Sequence, residues 1–280
     1  NVLSMEDLGV DFGYIHYQTT INKAGKQKMI IQDLRDYAVI LVDGEQVASL
    51  DRRYNQNNVT LDIRKVPATL EILVENSGRV NYGPDIQFNR KGITNQVLWG
   101  DEKLTGWSVT PLPLYKEKVS EMNFGGSIQG KPAFHKGTFT VQKKGDCFVD
   151  MSRWGKGAVW VNGKSLGRFW NIGPQQTLYV PAPWLKEGEN EIVVFEMEDT
   201  GNRSLQGLHR PILDSLGVDK NYRQGQRRAV QGTPILEKGD IALETTVQES
   251  NDWQQFELPV AATLRHFCIE TLSSYTDDNQ

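Results

Sequence analysis

The segment Ala38-Val-Ile-Leu-Val-Asp-Gly44 returns, slightly changed, as Ala158-Val-Trp-Val-Asn-Gly163. In both copies an apolar run leads into Asp-Gly or Asn-Gly, the dipeptides that tolerate the positive φ angles of a type I′ turn. Apolar residues resume after each turn. About thirty residues further on, Glu71-Ile-Leu-Val and Glu191-Ile-Val-Val match at the same shift of about 120 residues. The sequence therefore predicts one β fold, centred on a tight hairpin and present twice.

The rest of the chain also has the pattern of strands. Short β-branched and aromatic runs are bounded by Gly, Asn and Pro, and apolar residues do not recur at helical spacing over more than two or three turns. This pattern favours sandwiches or barrels over α/β folds. The predicted strands are Tyr14 to Ile21, Met29 to Ile31, Ala38 to Val42, Leu70 to Val74, Thr138 to Val141, Ala158 to Val161, Leu178 to Val180 and Glu191 to Glu196.

Composition narrows the class of protein. A chain of 280 residues with 38% hydrophobic content predicts two globular domains. A net charge of −4 gives no basic surface for nucleic acid, and no apolar stretch is long enough to span a membrane, so we expect a soluble protein. The two cysteines, Cys147 and Cys268, lie in different predicted units, which favours buried thiols over a disulfide.

No cofactor or metal is predicted. The four histidines are scattered without the local spacing of zinc ligands. The stretch from Gly125 to Pro132 approaches a phosphate-binding loop, but Pro132 replaces the hydroxyl residue that would bind magnesium. We interpret this stretch as a linker.

Several motifs together resemble the C-terminal half of family 35 glycoside hydrolases, the β-galactosidases. They are Gly13-Tyr-Ile-His-Tyr17, Val74-Glu-Asn-Ser-Gly-Arg-Val-Asn-Tyr-Gly83, Trp154-Gly-Lys-Gly157, Leu166-Gly-Arg-Phe-Trp170, Ile172-Gly-Pro-Gln175 and Leu178-Tyr-Val-Pro181. In that family a catalytic (β/α)8 barrel carries an acid/base glutamate and a nucleophilic glutamate, and β-sandwiches of galactose-binding-like topology pack against it. The resemblance covers only the sandwiches.

The resemblance implies an all-β chain of tandem galactose-binding-like jelly-roll sandwiches. Residues 1–114 would form the first sandwich, 115–130 a connecting loop and 131–218 the second sandwich. Residues 219–280 would form a linker and a partial discoidin-like β segment. Both ends look cut from a longer protein, and the partner implied is the missing N-terminal barrel of the same parent chain.

Retaining glycoside hydrolysis needs two carboxyl groups about 5 to 5.5 Å apart beside a sugar pocket. The sequence shows no such pair, so no catalytic residue is predicted. Glu71, Glu75, Glu191 and Glu196 are interpreted as solvent-facing carboxylates on or beside strands.

Two short stretches are candidates for sugar contact or for the rim of a substrate pocket. Arg79, Asn81 and Tyr82 form a loop that combines a guanidinium, an amide and a phenol between glycines, and Arg168 and Trp170 lie in the parallel loop predicted in the second sandwich. The alternative interpretations are a turn held by its own side chains and a tryptophan that belongs to the core.

Two functions stay open. The first is a non-catalytic accessory region of an enzyme that hydrolyses terminal β-galactosides, packed against its barrel and shaping substrate access. The second is an autonomous binding module for galactose-containing glycans. The resemblance also implies a periplasmic or extracellular location.

Overall fold

The computed structural model describes residues 1–84, 86–115, 132–198, 200–201 and 204–222, together with residues 119, 122 and 124. Most of the predicted connecting loop and the predicted discoidin-like segment lie outside these residues, as do Cys268 and the stretch from Gly125 to Lys131. In the described ranges the regular structure is almost entirely strand, with a few single-turn 3-10 helices. The prediction of an all-β chain is confirmed.

The strands, numbered along the chain, contain all eight predicted segments. They are β1 (Tyr14–Ile21), β2 (Gly25–Ile31), β3 (Leu34–Arg35), β4 (Tyr37–Val42), β5 (Glu45–Asp51), β6 (Asn58–Ile63), β7 (Ala68–Glu75), β8 (Gly92–Ile93), β9 (Val97–Trp99), β10 (Glu102–Lys103), β11 (Ser108–Leu112), β12 (Ala133–Val141), β13 (Cys147–Asp150), β14 (Lys156–Val161), β15 (Lys164–Trp170), β16 (Thr177–Val180), β17 (Gly188–Glu196) and β18 (Gln206–Leu208). The 3-10 helices are Glu6–Leu8, Arg52–Tyr54, Ile86–Phe88 and Ala182–Trp184.

The strands form two antiparallel sandwiches. In the first, a sheet of order β11-β1-β7-β4-β5 packs on a sheet of order β10-β9-β2-β6, and β3 pairs with β8. In the second, a sheet of order β12-β17-β14-β15 packs on a sheet of order β16-β13-β18. Each sandwich has its own buried apolar core, as expected for two sheets that face each other.

The two predicted hairpin turns are confirmed. Asp43 and Gly44 have φ angles of 51° and 80°, and Asn162 and Gly163 have φ angles of 49° and 72°. The side chain of each first turn residue also accepts a backbone hydrogen bond from the neighbouring strand: Asp43 Oδ1 from the N–H of Thr69 at 2.8 Å, and Asn162 Oδ1 from that of Glu191 at 3.0 Å. The same turn therefore has the same neighbour in both sandwiches, which supports duplication.

The register of the second repeated strand differs from the sequence match. Val42 pairs with Leu70 in the first sandwich, and its counterpart Val161 pairs with Ile192 in the second, which is a shift of 122 residues along β7 and β17. The sequence match had made Glu191 the counterpart of Glu71, which is a shift of 120 residues. An offset of two residues keeps every side chain on the same face of the sheet, so the apolar pattern cannot distinguish the two registers.

The two sandwiches pack against each other through their corresponding sheets. In β4, Ala38 and Ile40 face the core of the first sandwich, whereas Val39 and Leu41 belong to a third apolar cluster. This junction cluster also takes Trp160, among others, from the second sandwich. Because β4 and β14 are covered on both faces, their sequences are continuous apolar runs and not the alternating pattern of a half-exposed antiparallel strand.

The turn geometry predicts unequal effects for two substitutions of Asp43. Asp43→Ala removes the acceptor for Thr69 and places a residue without a local hydrogen bond at positive φ, so unfolding should become easier by about 1 to 2 kcal/mol. Asp43→Asn keeps both properties and should be nearly neutral. Urea denaturation followed by circular dichroism measures both variants, and an equal loss in the two would contradict the role assigned to the side chain.

Candidate functional site at the junction of the sandwiches

A buried ion pair joins the two sandwiches. Lys156, the first residue of β14, places its Nζ atom 2.6 Å from Oε2 of Glu75, the last residue of β7. The side chains are 4% and 0% exposed. Glu75 also accepts a hydrogen bond from Ser77 Oγ at 3.0 Å, and the Tyr14 hydroxyl lies 3.4 Å from its Oε1. Burial raises the pKa of the Tyr14 hydroxyl well above its usual value, and the nearby carboxylate of Glu75 adds to the effect.

Two cations lie over the ring of Trp170, the last residue of β15. Lys156 Nζ is 3.7 Å from the centroid, and Arg53 Cζ of the first sandwich is 4.0 Å from it. The ring of Tyr37 meets Trp170 edge-on at a centroid distance of 5.4 Å. Cation–π attraction strengthens when the cation is removed from water, so Trp170 compensates part of the cost of burying Lys156.

Glu196, the last residue of β17, binds the backbone where the loop before β14 enters the strand. Its carboxylate accepts backbone hydrogen bonds from Gly155 at 2.7 Å, Lys156 at 3.0 Å and Glu198 at 2.9 Å. Burial raises the pKa of Glu196 to about 7, although the three N–H donors lower it. The carboxylate therefore fixes the backbone that presents Lys156 to Glu75.

The chain beyond the second sandwich returns to the first one. We call residues 217–222 the return segment. Asp219 Oδ2 accepts hydrogen bonds from Arg53 Nη2 at 2.8 Å and from the Tyr54 hydroxyl at 2.7 Å. The side-chain amide of Asn221 donates to the Tyr37 hydroxyl at 2.9 Å. Residues 219–222, predicted to begin a linker, thus contact the first sandwich.

The Tyr37 hydroxyl itself donates to Oε1 of Glu198, and Lys220 Nζ lies 2.9 Å from the same oxygen. Glu198 follows β17 in the second sandwich, so this network connects both sandwiches with the return segment. Burial raises the pKa of Tyr37 far above its usual value, and the charge of Glu198 adds to the shift.

The three sugar-contact candidates of the first sandwich, Arg79, Asn81 and Tyr82, differ from one another in their contacts. Arg79 Nη1 donates to the carbonyl of Asn89 at 2.8 Å and lies 2.7 Å from the Glu6 carboxylate, while Nη2 donates to the carbonyl of Asp11 at 3.0 Å. This guanidinium holds neighbouring loops together. Asn81 and Tyr82 are exposed, and Tyr82 keeps 83% of its surface accessible.

The candidates of the second sandwich lie in strand β15, not in a loop as the sequence suggested. Arg168 donates to the carbonyl oxygens of Asn76 and Ser77, both at 2.8 Å, so it connects β15 to the loop that follows β7. Arg168 therefore lies beside the segment that leads to Arg79, although the sequence placed the two in separate domains. Trp170 is half-buried between its two cations.

The interpretation of the strand carboxylates was wrong for two of the four. Glu75 and Glu196 are buried at 0% and 1% exposure because their strands are covered on both faces. The sequence did carry a signal: each ends a continuous apolar run, where a half-exposed strand would alternate. Glu71 and Glu191 are half-buried and pair with His16 and Lys136 respectively.

The tryptophans and the cysteine of the described residues differ in their burial. Trp99, Trp154 and Trp160 are buried, whereas Trp184 is half-buried. Cys147 is a free, half-buried thiol. In the described part of the chain, no group of three or more His, Cys, Asp or Glu side chains is arranged to hold a metal ion, and no described helix has the length and apolarity to cross a membrane.

Comparison with known proteins gives consistent matches. Residues 2–113 match the family described as "Beta-galactosidase, first all-beta domain", and residues 132–190 match "Beta-galactosidase, galactose-binding domain". A β-galactosidase of Xanthomonas manihotis is 43% identical over 176 residues, which are 63% of this chain and 29% of that protein. Human β-galactosidase-1-like protein 2 is 34% identical over 75% of this chain and 34% of its own length. β-Galactosidase 1 of Dictyostelium discoideum is 35% identical over 76% of this chain and 35% of its own length.

The buried pair predicts strong coupling between Lys156 and Glu75. Lys156→Met leaves a buried carboxylate without its cation and should lower the free energy of unfolding by about 3 to 5 kcal/mol. Adding Glu75→Gln removes the uncompensated charge, so the double variant should be more stable than Lys156→Met alone. Lys136→Met, in the more solvent-accessible pair with Glu191, is the matched control and should cost about 1 kcal/mol or less. Urea denaturation tests the set, and additive effects of Lys156→Met and Glu75→Gln would contradict the coupling.

The raised pKa of Glu196 predicts that this residue makes stability fall as pH rises. Between its unfolded value near 4.5 and its folded value of about 7, the folded state binds the proton more tightly than the unfolded state does. The contribution of Glu196 should therefore decline from pH 4.5 to pH 7 and level off above that, by on the order of 3 kcal/mol in all. Urea denaturation of the wild type and of Glu196→Gln measures it as the difference between the two pH profiles, which would stay flat if the assignment were wrong.

Proposed function

We propose an accessory, non-catalytic role for this chain, which belongs to the β-galactosidase family and carries its first all-β domain and its galactose-binding domain. The parent protein is then a retaining family 35 enzyme that hydrolyses terminal β-galactosides, located in the periplasm or outside the cell. The chain spans about a third of the length of the curated relatives it matches. Its role is to pack against the catalytic barrel of the parent protein and to shape access to the substrate.

The observation that carries this proposal is a set of exposed apolar side chains on loops of the first sandwich. Tyr82 and Phe88 are 83% and 65% exposed, and Phe12, Ile86 and Tyr115 are also exposed. Exposed apolar side chains that lie close together mark a place where another protein or domain binds. Phe12 and Tyr115 are in ring contact at a centroid distance of 5.2 Å.

Hydrogen bonds bring these loops to one end of the sandwich. The N–H of Asn76 donates to the carbonyl of Gly13 at 3.0 Å, and its side-chain amide donates to the carbonyl of Asp11 at 3.0 Å. Arg79 donates to the carbonyls of Asp11 and Asn89. The loops that carry Phe12, Tyr82 and Phe88 are therefore held together, and we call this end of the first sandwich the apolar end.

The junction supports the same role. A buried ion pair, an apolar cluster and the return segment join the two sandwiches. Arg168 extends this connection to the loop that leads to Arg79. The second sandwich therefore helps to stabilise the loops of the apolar end, on which the catalytic domain would dock.

A hybrid enzyme tests the proposal. The matching region of the Xanthomonas manihotis β-galactosidase is deleted in one form and replaced by this chain in another. We expect the deleted form to lose soluble, active enzyme and the replaced form to recover it, as measured with a chromogenic β-galactoside. This chain alone should give no turnover. Turnover by the chain alone, or full activity of the deleted form, would overturn the proposal.

The apolar end is tested within the same hybrid. Tyr82→Ser with Phe88→Ser should lower the thermal midpoint of the hybrid by at least a few °C, because the docked surface loses apolar contact. Val47→Ser removes an exposed apolar side chain from strand β5, away from these loops, and is the control. If Val47→Ser has the same effect as the pair of substitutions, the apolar end is not the docking surface.

A further inference from the structure

A cavity of about 310 Å³ opens where the second sandwich meets the return segment. Its volume lies at the small end of the range of about 300 to 1,000 Å³ typical of ligand sites. Its lining includes Trp170, Asn171, Glu198, Asp219 and Lys220. We propose that this junction cavity binds a hydroxyl-rich sugar unit of a glycan, which goes beyond the accessory role because a docking surface needs no ligand of its own.

One oxygen of Glu198 is available to a ligand. Oε1 is occupied by the Tyr37 hydroxyl and by Lys220, whereas Oε2 has no hydrogen-bond partner among the described residues. The side chain is only 7% exposed. Oε2 is not fully buried, because Gln176 Oε1 is the one fully buried side-chain polar atom without a partner among the described residues, and Glu198 lines the junction cavity. A carboxylate oxygen in this position accepts a hydrogen bond from a hydroxyl group.

Asn171 supplies a second recognition group. Its backbone N–H donates to the carbonyl of Gly155 at 2.9 Å, and its carbonyl accepts from Gln176 Nε2 at 2.9 Å. Its side-chain amide makes no hydrogen bond with the described residues, and an amide both donates and accepts. The backbone bonds fix the main chain of Asn171 beside the cavity that this residue lines, and they leave its side-chain amide available to a ligand.

The charges at the cavity favour a neutral ligand. Glu198 and Asp219 carry negative charge, and Lys220 carries positive charge with its ammonium donating to Glu198. A simple anion would meet two carboxylates, and a simple cation would meet the ammonium of Lys220. Neighbouring hydroxyl groups can instead donate to the Glu198 oxygen and accept from the Lys220 ammonium or the Asn171 amide.

Trp170 does not serve as a stacking platform for the sugar. Lys156 and Arg53 already lie within 4.0 Å of its ring centroid, so a stacked sugar ring would have to displace one of these cations. The site differs in this respect from the exposed aromatic surface that the sequence had suggested for Trp170. Recognition at the junction cavity rests on hydrogen bonds to hydroxyl groups.

The test is a calorimetric titration of the full 280-residue chain with methyl β-galactoside and, separately, with methyl β-glucoside. We expect saturable binding of at least one glycoside. Asn171→Ala should weaken it by about tenfold, because one or two hydrogen bonds to hydroxyl groups are lost. Asn81→Ala makes the same chemical change on the exposed loop of the first sandwich and should leave the affinity unchanged.

Glu198→Gln is the second variant and should also weaken binding, because one accepting oxygen becomes a donating amide. Circular dichroism of each variant establishes that it is folded. The inference is overturned if neither glycoside binds the wild type, if Asn171→Ala and Glu198→Gln bind as well as the wild type, or if Asn81→Ala loses affinity equally. None of these results depends on the hybrid enzyme, so failure of the site and failure of the accessory role are distinguishable.

Discussion

The burial of one lysine at the boundary of two sandwiches constrains the surrounding structure. Lys156 leaves water only because Glu75 lies 2.6 Å away and Trp170 lies under its ammonium group. Glu75 belongs to the first sandwich, while Lys156 and Trp170 belong to the second, so the pair exists only when the sandwiches are docked. Buried ion pairs add little net stability over apolar contacts, but they tolerate few alternative arrangements. The pair is therefore well suited to fix how the sandwiches face each other.

The functional features follow from that docking. Trp170 is held between Lys156 and Arg53, and Arg53 is in turn bound by Asp219 of the return segment. Asn221 and Glu198 meet at the hydroxyl of Tyr37. The junction cavity exists because the return segment crosses this place. The side chains that we assign to ligand binding are held by the same contacts that join the sandwiches.

Local prediction succeeded where the sequence pattern has one physical cause. Asp-Gly and Asn-Gly adopt positive φ at low cost, and both hairpin turns were found at the predicted residues. Prediction of burial failed where the other sandwich covers the outer face of a strand. Glu75 and Glu196 were assigned to solvent because a strand in an isolated sandwich has one exposed face, but these strands have none. Similarly, Arg168 and Trp170 were interpreted as a loop, although they continue the hairpin as strand β15.

The sequence by itself determined the all-β class, the duplicated hairpin and the family, because these depend on local backbone preference and on motifs that are contiguous in the chain. It also marked Arg79, Asn81, Tyr82, Arg168 and Trp170 as unusual, without showing what they contact. Tertiary structure alone decided that Lys156 meets Glu75, that Arg168 reaches the loop of the other sandwich and that the return segment lines a cavity together with Trp170. Contacts of this kind join residues far apart in the chain, such as Tyr37 and Asn221, which are separated by 184 positions. Only the packing of two separately folded sheets determines which of their side chains become neighbours.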